Sequence, residues 1–134
     1  MNNFLETLAS YTTANIAALD AIVADRIYPV EAPQGVALPF GVFTQVSASE
    51  NIHHGGKCGW GSMRIQYDFY AKLFHDCYDA ARVLRSEFEG KSTQIAVGTL
   101  ICYCEVETEF DEFDSKEEIY RRSLDLLFEY KITT

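Results

Sequence analysis

Two segments of the chain alternate so regularly between apolar and polar residues that β-strands with one buried face fit them best. In residues 62–71 and again in residues 118–132, apolar residues fall at nearly every second position. The apolar sides carry Met63, Ile65, Tyr67, Phe69 and Ala71 in the first segment, and Tyr120, Leu124, Leu126, Phe128, Tyr130 and Ile132 in the second. A period of two puts successive side chains on opposite faces of a sheet. The pattern predicts a mainly antiparallel sheet, with helices on one side and the other side wet or open to a partner.

Two other regions carry the period of an α-helix. Residues 3–23 have an apolar stripe that starts with Phe4 and Leu8, but the β-branched pair Thr12-Thr13 weakens it. We therefore expect two helices or one broken helix there. A clearer helix is predicted for residues 76–89, which end before a glycine that favours a helix C-terminus. Its apolar stripe consists of Cys77, Ala81, Leu84 and Phe88.

The remaining segments complete the predicted fold. We expect a short strand at residues 27–31, a strand that starts at Pro39, a glycine-rich loop at 50–61, and a strand at 94–112. The order predicts an α+β fold. It has a mainly antiparallel sheet of about four to five strands, with the N-terminal helical segment and one central helix packed on one face. At 134 residues the chain has the size of one domain, residues 1–134.

The sequence has the features of a protein made and folded in the cytosol. Its N-terminus, MNNFLETLAS, lacks the basic region and apolar core of a secretory signal. No segment approaches the roughly 18 apolar residues that cross a bilayer, so we expect no membrane association. In a reducing compartment the cysteines are expected to be free thiols that pack as small hydrophobic side chains. They are Cys58, Cys77, Cys102 and Cys104.

The glycine-rich loop is the main candidate for metal or catalytic chemistry, because it holds His53, His54 and Cys58. Structural zinc sites usually combine two paired ligand modules, and a second module is lacking in the sequence. The loop also lacks a nucleophile elbow and the Gly-Lys-Ser/Thr ending of a phosphate-binding loop. We therefore expect no enzyme activity, no metal and no cofactor. The alternative is a small cytosolic metal-binding or enzymatic domain that uses these three residues.

The charge of the chain is strongly negative and unevenly distributed. The net charge is −9, and residues 105–118 alone hold eight acids and one lysine. Such a chain repels phosphate, so specific binding of DNA or RNA through a basic surface is not expected. Strict alternation would place Glu105, Glu107, Glu109 and Asp111 on one strand face. That face is either simply solvated, or a surface that repels DNA or meets a basic partner.

One series of segments resembles a known family. Residues 26–49, RIYPVEAPQGVALPFGVFTQVSAS, contain a strand ending in Tyr-Pro, a Pro-Gln-Gly turn and a Leu-Pro-Phe entry into the next strand. The strand MRIQYDFYAK and the helix DCYDAARVLRSEFEG follow. The series resembles the tail-completion proteins of long-tailed bacteriophages, also described as head-tail joining or tail-terminator-like proteins. The resemblance covers roughly residues 4–90 and rests on packing and turn signals.

The resemblance implies a structural role in a virion. Such proteins assemble as homo-oligomeric rings, commonly hexameric, at the head-proximal end of the tail. Their partners are the tail tube protein and the head connector or stopper, and DNA passes through the ring without specific binding. The expected location is the host cytoplasm during assembly and then the head-tail interface of the virion.

Two hypotheses about sites follow. The acidic row Glu105, Glu107, Glu109 and Asp111 would line the lumen of the ring, where it would repel DNA and let it slide. The loop at 50–61 would contact a neighbouring subunit or partner through Ile52, His53, His54 and Trp60. Of these, Trp60 has the aromatic character common in interface hot spots.

Overall fold

The computed structural model describes residues 4–51 and 58–133, which form three helices and six strands. In chain order they are α1 (Phe4–Ala14), α2 (Ala17–Val23), β1 (Ile27–Pro29), β2 (Phe40–Asn51), β3 (Cys58–Ala71), α3 (Phe74–Phe88), β4 (Thr93–Ala96), β5 (Thr99–Asp114) and β6 (Ile119–Thr133). None of these helices is long and apolar enough to cross a membrane.

The strands form one curled sheet in the order β1-β2-β3-β6-β5-β4. Its pairs are antiparallel except β1 with β2, which run parallel. The predicted sheet of about four to five mainly antiparallel strands is therefore wrong: the sheet is mixed and has six strands. The predicted strand at 94–112 is two strands, because Gly98, at a φ of 82°, turns the chain between β4 and β5.

The N-terminal helical region consists of two helices. The hydroxyls of Thr12 and Thr13 donate hydrogen bonds of 2.6 Å back to the carbonyls of Leu8 and Ala9. Such back-bonding weakens the end of a helix, and α1 stops at Ala14. The predicted weak spot thus lies within one turn of the actual break.

All three helices lie on one side of the sheet, which we call the helix face. On β6 the helix face carries the even-numbered side chains from Tyr120 to Tyr130, and the opposite face, called here the open face, carries the odd-numbered ones from Ile119 to Lys131. Phe88 of α3 packs edge-on against Phe128 at 5.3 Å between ring centroids, and Phe4 of α1 stacks on Tyr130 at 4.0 Å. The alternation predicted for β3 and β6 is confirmed by this packing.

The core lies between the helix face and the helices. Its strand side chains are fully or almost fully buried and come from the predicted apolar sides of β3 and β6, with Ile101 and Cys104 from β5. Each fully buried leucine or phenylalanine contributes about 1.5–3 kcal/mol of transfer free energy. This layer holds the sheet firmly, so the open face and the sheet edges are presented on a rigid support.

Candidate interaction surface

The acidic strand β5 does not alternate throughout, because it contains two β-bulges. The register against β6 shifts between Ile101 and Tyr103 and again between Val106 and Thr108. Each bulge adds one unpaired residue and so exchanges the faces on which the following side chains lie. The second bulge is decisive here, because it falls in the middle of the acidic row.

The predicted shared face of the four acids is therefore wrong. Glu105 lies opposite Leu127 and so faces the open side, and Glu107 occupies the second bulge. Beyond it, Glu109 lies opposite Leu124 and Asp111 lies opposite Arg122, which places both acids on the helix face.

Glu109 and Asp111 are joined to a cluster of arginines on the helix face. Glu109 accepts hydrogen bonds from Arg85 Nη1 of α3 at 2.8 Å and from Arg122 Nε at 2.6 Å. Both Asp111 oxygens accept from Arg122 Nη1, at 2.7 and 2.8 Å. The guanidinium of Arg122 also lies 4.7 Å from the centre of the Tyr78 ring. These contacts connect β5, β6 and α3, and they satisfy two of the four acids internally.

The pKa of Arg122 reflects the strength of this cluster. Partial burial of its guanidinium would lower the pKa, but the hydrogen bonds and charges of Glu109 and Asp111 outweigh that effect and raise it above its ordinary value. Arg122 therefore stays charged at physiological pH.

A second polar cluster occupies the middle of the open face. Arg64 pairs with Asp125, with Nε–O distances of 3.0 and 2.9 Å and an Nη2–O distance of 2.7 Å. Beside this pair, Ser123 Oγ donates to Asp68, which also accepts from Gln66 Nε2 at 3.2 Å. The two aspartates and the serine are buried, although the helices lie on the other side of the sheet. Buried polar groups that are paired in this way fix side chains in place.

Glu105 and Glu107 lie next to this cluster and are exposed. The pKa of Arg64 is raised mainly by its hydrogen bonds and charge interaction with Asp125, with a smaller contribution from the charge of Glu107. Glu107 is thus near enough to interact with the open-face cluster. These two acids remain available to solvent or a partner.

The hairpin between β5 and β6 extends the acidic surface. Its turn, residues 115–118, is exposed and is held by Asp114 Oδ1, which accepts from the backbone N–H of Lys116 at 3.0 Å and of Glu117 at 3.2 Å. Near the turn, Phe110 and Phe113 are 41% and 51% exposed. Exposed aromatic side chains are enriched in protein-protein contact surfaces, where charged residues are found mainly at the rim.

The predicted loop at 50–61 is shorter than expected, because β2 continues to Asn51 and β3 begins at Cys58. Of the candidate contact residues, Ile52, His53 and His54 lie outside the described residues. Trp60 lies within β3, is 38% exposed, and has Lys131 Nζ 5.0 Å from its ring centre. Its role as a partner contact stays a prediction.

Two of the cysteines, Cys77 and Cys104, have the environment of core residues, and Cys102 is half-buried. Burial, followed by the charges of Glu89 and Glu105, raises the pKa of Cys104 to about 12, and burial also raises that of Cys77. A thiol that stays protonated is a poor nucleophile and a poor metal ligand. Within residues 4–51 and 58–133, no three or more His, Cys, Asp or Glu side chains are grouped as metal ligands would be. The alternative metal site depends on His53 and His54, whose positions are outside that range.

Sequence reasoning missed Arg85 and Arg122. A signal for Arg122 was present: it occupies an apolar-side position of β6, between Tyr120 and Leu124. A charged residue in a buried register normally has an ionic partner. The partners of Arg122 could not be read from the sequence, because the exact position of the turn between β5 and β6 sets the register of the two strands.

The overall fold has a counterpart among solved structures. The sequence matches no protein-family model and no curated protein. One chain in the solved structure of the virion of the native gene transfer agent (GTA) particle has a similar fold, with a TM-score of 0.63. The likeness covers 92% of this chain and 91% of that chain, at 12% sequence identity. At this identity the likeness establishes the fold.

Proposed function

We propose that this chain is a structural protein of a phage-like virion, and that it completes the tail and joins it to the head connector as part of a ring. The observation that carries the proposal is the fold, which is shared over about nine-tenths of both chains with a protein of a gene transfer agent virion. The resemblance of residues 26–49 and the segments after them to tail-completion proteins points the same way. The partners would be further copies of this chain, the tail tube protein and the head connector or stopper.

The side-chain chemistry supports an assembly role. The described thiols that are buried have raised pKa values, and the helix-face acids are engaged by arginines. What the protein offers to its surroundings is a rigid sheet with acids and aromatic side chains on its surface. Such a surface suits contacts between proteins better than chemistry on a small molecule.

We propose that Glu105 and Glu107 line the lumen of the ring. Glu109 and Asp111 are bound by arginines, so their charges are largely compensated within the subunit. Glu105 and Glu107 are exposed beside the open-face cluster, and uncompensated acids there would keep DNA phosphates from binding.

The tail role is tested by deleting the gene and examining the particles by electron microscopy. Filled heads beside unattached tails would establish joining, and tails of uncontrolled length would establish termination. Supplying the wild-type gene from a plasmid should restore complete particles. Normal, infectious particles without the gene would refute the proposal.

The lumen role is tested by the pair of changes Glu105→Lys and Glu107→Lys in otherwise complete particles. Two cations in place of two acids should slow DNA release, and the delay should shrink as salt is raised, because phosphate contacts are salt-dependent. Glu117→Lys and Glu118→Lys, in the exposed hairpin turn, are the matched control. Equal rates of DNA release for both pairs would remove Glu105 and Glu107 from the lumen.

A further inference from the structure

We propose that copies of this chain join edge to edge, with the free part of β2 in one copy pairing as a strand with the free part of β5 in the next. This proposal rests on the assembly role proposed above and supplies the contact that would build the ring. Its support is the backbone of β2 and β5, each of which has a half without a partner strand on its outer side among the described residues.

The first free edge is the second half of β2. On its outer side β2 pairs with β1 only from Gly41 to Phe43, and Val30 N–H closes this short ladder on the Phe43 carbonyl at 2.9 Å. Among the described residues, no strand pairs with residues 44–51 on that side. Residues 45–49 are exposed. The N–H and C=O groups of alternate residues in this segment pair with β3, and those of the residues between them point to the free side, as in strands that accept a partner strand.

The second free edge is the second half of β5, at the opposite side of the sheet. Here β4 pairs only with residues 99–101, and the Gly90 N–H donates to the Cys104 carbonyl at 2.8 Å. In the described part of the chain, residues 105–114 have β6 on one side and no strand on the other. A free segment of this length is as long as a typical strand, so it can support a full ladder.

The strand directions allow these two edges to meet in copies that have the same orientation. From β2 across to β4 every neighbouring pair of strands is antiparallel, so β2 and β5 run in opposite directions. A neighbour's β5 placed beside β2 would continue the antiparallel order. The two surfaces are different, so the contact is heterologous, and repeating it generates a ring when the rotation closes.

Charge favours the pairing of a β2 edge with a β5 edge over the pairing of two β5 edges. The free part of β5 carries six acids, and three of them, Glu109, Asp111 and Glu112, are paired with arginines of the same chain. This leaves Glu105, Glu107 and Asp114 as its charged positions, whereas residues 44–51 carry one acid, Glu50. Two β5 edges side by side would place acids opposite acids, which is destabilising. The nearly uncharged β2 edge, which has no lysine or proline to block pairing, lacks this repulsion.

The test uses the purified full-length chain and proline changes that remove one outward N–H on each edge. The pairing registers place the N–H groups of Ala48 and Asp111 toward the free edges. Ala48→Pro blocks the β2 edge, with Ala48→Val as its control. Asp111→Pro blocks the β5 edge, with Asp111→Ala as the control that also loses the Arg122 contact. Circular dichroism checks that each variant is folded.

Sedimentation velocity measures self-association. Each proline variant should bind other copies of itself about tenfold more weakly than its control, since one hydrogen bond between the chains is lost and its acceptor is left without a partner. An equimolar mixture of the two proline variants should form a pair of chains and nothing larger, because only one good edge remains on each. Loss of association in Ala48→Pro alone would indicate β2–β2 pairing and overturn the proposal. So would unchanged association in both, or a wild-type chain that is monomeric at its highest soluble concentration.

A second pair of variants gives an answer even where a proline variant fails to fold. Val46 is 49% exposed at the bulge of β2 and lies outside the core, so a polar residue there should leave the core packing unchanged. Beside an acidic β5, Val46→Lys should strengthen self-association and Val46→Glu should weaken it. Equal effects of the two changes would overturn the proposal. The tail role is judged separately by the gene deletion, so failure of edge pairing and failure of the proposed function are distinguishable.

Discussion

Replacing Arg122 with alanine should lower the free energy of unfolding more than the same replacement of any exposed arginine. The side chains of Arg122 and Glu109 are 15% and 12% exposed, and Arg122 bonds to both Glu109 and Asp111. A lost hydrogen bond to a charged group costs about 1.5–3 kcal/mol. In the variant Glu109 keeps its hydrogen bond to Arg85, so Glu109 still has an arginine partner. We therefore expect Arg122→Ala to lower the free energy of unfolding by about 2–3 kcal/mol.

The assay is urea and thermal unfolding followed by circular dichroism. For a chain of this length, the expected loss corresponds to a fall in Tm of about 6–12 °C. The matched control is Arg82→Ala, because Arg82 contacts Asp79 at 3.5 Å with its side chain 65% exposed. Exposed pairs of this kind contribute about 0–1 kcal/mol. Arg122→Lys, which keeps the charge but not the planar fork, should fall between the two.

Equal losses of unfolding free energy in Arg122→Ala and Arg82→Ala would contradict the prediction that Arg122 stabilises the fold more than an exposed arginine does. That outcome would mean that the helix-face ion pairs contribute no more than surface charges, and that β5 does not depend on them for its position. Double-mutant cycles of Arg122 with Glu109 and with Asp111 would then assign the remaining coupling.

Three further measurements have expected outcomes. Gly61→Ala should destabilise the fold by about 1–3 kcal/mol, because the new Cβ would lie 2.6 Å from the Tyr130 hydroxyl oxygen and 3.0 Å from the Ser49 carbonyl oxygen; an unfolding midpoint equal to wild type would contradict the predicted contact. The pKa of Tyr11 is raised to about 12 by burial and by Glu87, so its neutral form stabilises the fold below about pH 10 and that contribution is lost as pH rises from about 10 to 12. The difference in unfolding free energy between wild type and Tyr11→Phe should therefore be constant below about pH 10 and change only in this window; a difference that stays the same up to about pH 12 would contradict the prediction. Iodoacetamide at about pH 8 should leave Cys104 unmodified in the folded chain and modify it in urea, as read by peptide mass spectrometry; rapid labelling of the folded chain would show that the thiol is accessible.

The regular parts of the fold were readable from the sequence because burial imposes a simple period. The alternation of β3 and β6 and the stripe of α3 came out as predicted, since each packs one continuous face into the core. The two-helix outcome in the N-terminal region was also within the prediction. What failed was the count of the strands, because β4 spans only Thr93–Ala96, too few residues to display a period of its own, and was predicted as one strand with β5. The strand expected at 27–31 is present as β1, but its parallel pairing with β2 has no signature in the local residues.

The candidate acidic face could not be predicted for a different reason. Alternation along a strand holds only between bulges, and a bulge is fixed by pairing with a distant strand rather than by local residues. The sequence correctly identified where the acids are concentrated. It could not reveal that β6 offers Arg122 to Asp111 and leaves Glu105 opposite Leu127.

The second bulge of β5 also has a consequence for how this gene can change. Removing the single codon for Glu107 would leave the reading frame and the acidic composition almost intact. It would remove only the extra residue of the bulge, so Thr108 would follow Val106 directly, and Glu109 and Asp111 would keep their places opposite Leu124 and Arg122. Loss of Phe110 would instead make Glu109 and Asp111 adjacent and so put them on opposite faces of the sheet. Related chains that differ by one residue in this strand should therefore do so at the bulge, and not between the two acids that Arg122 binds.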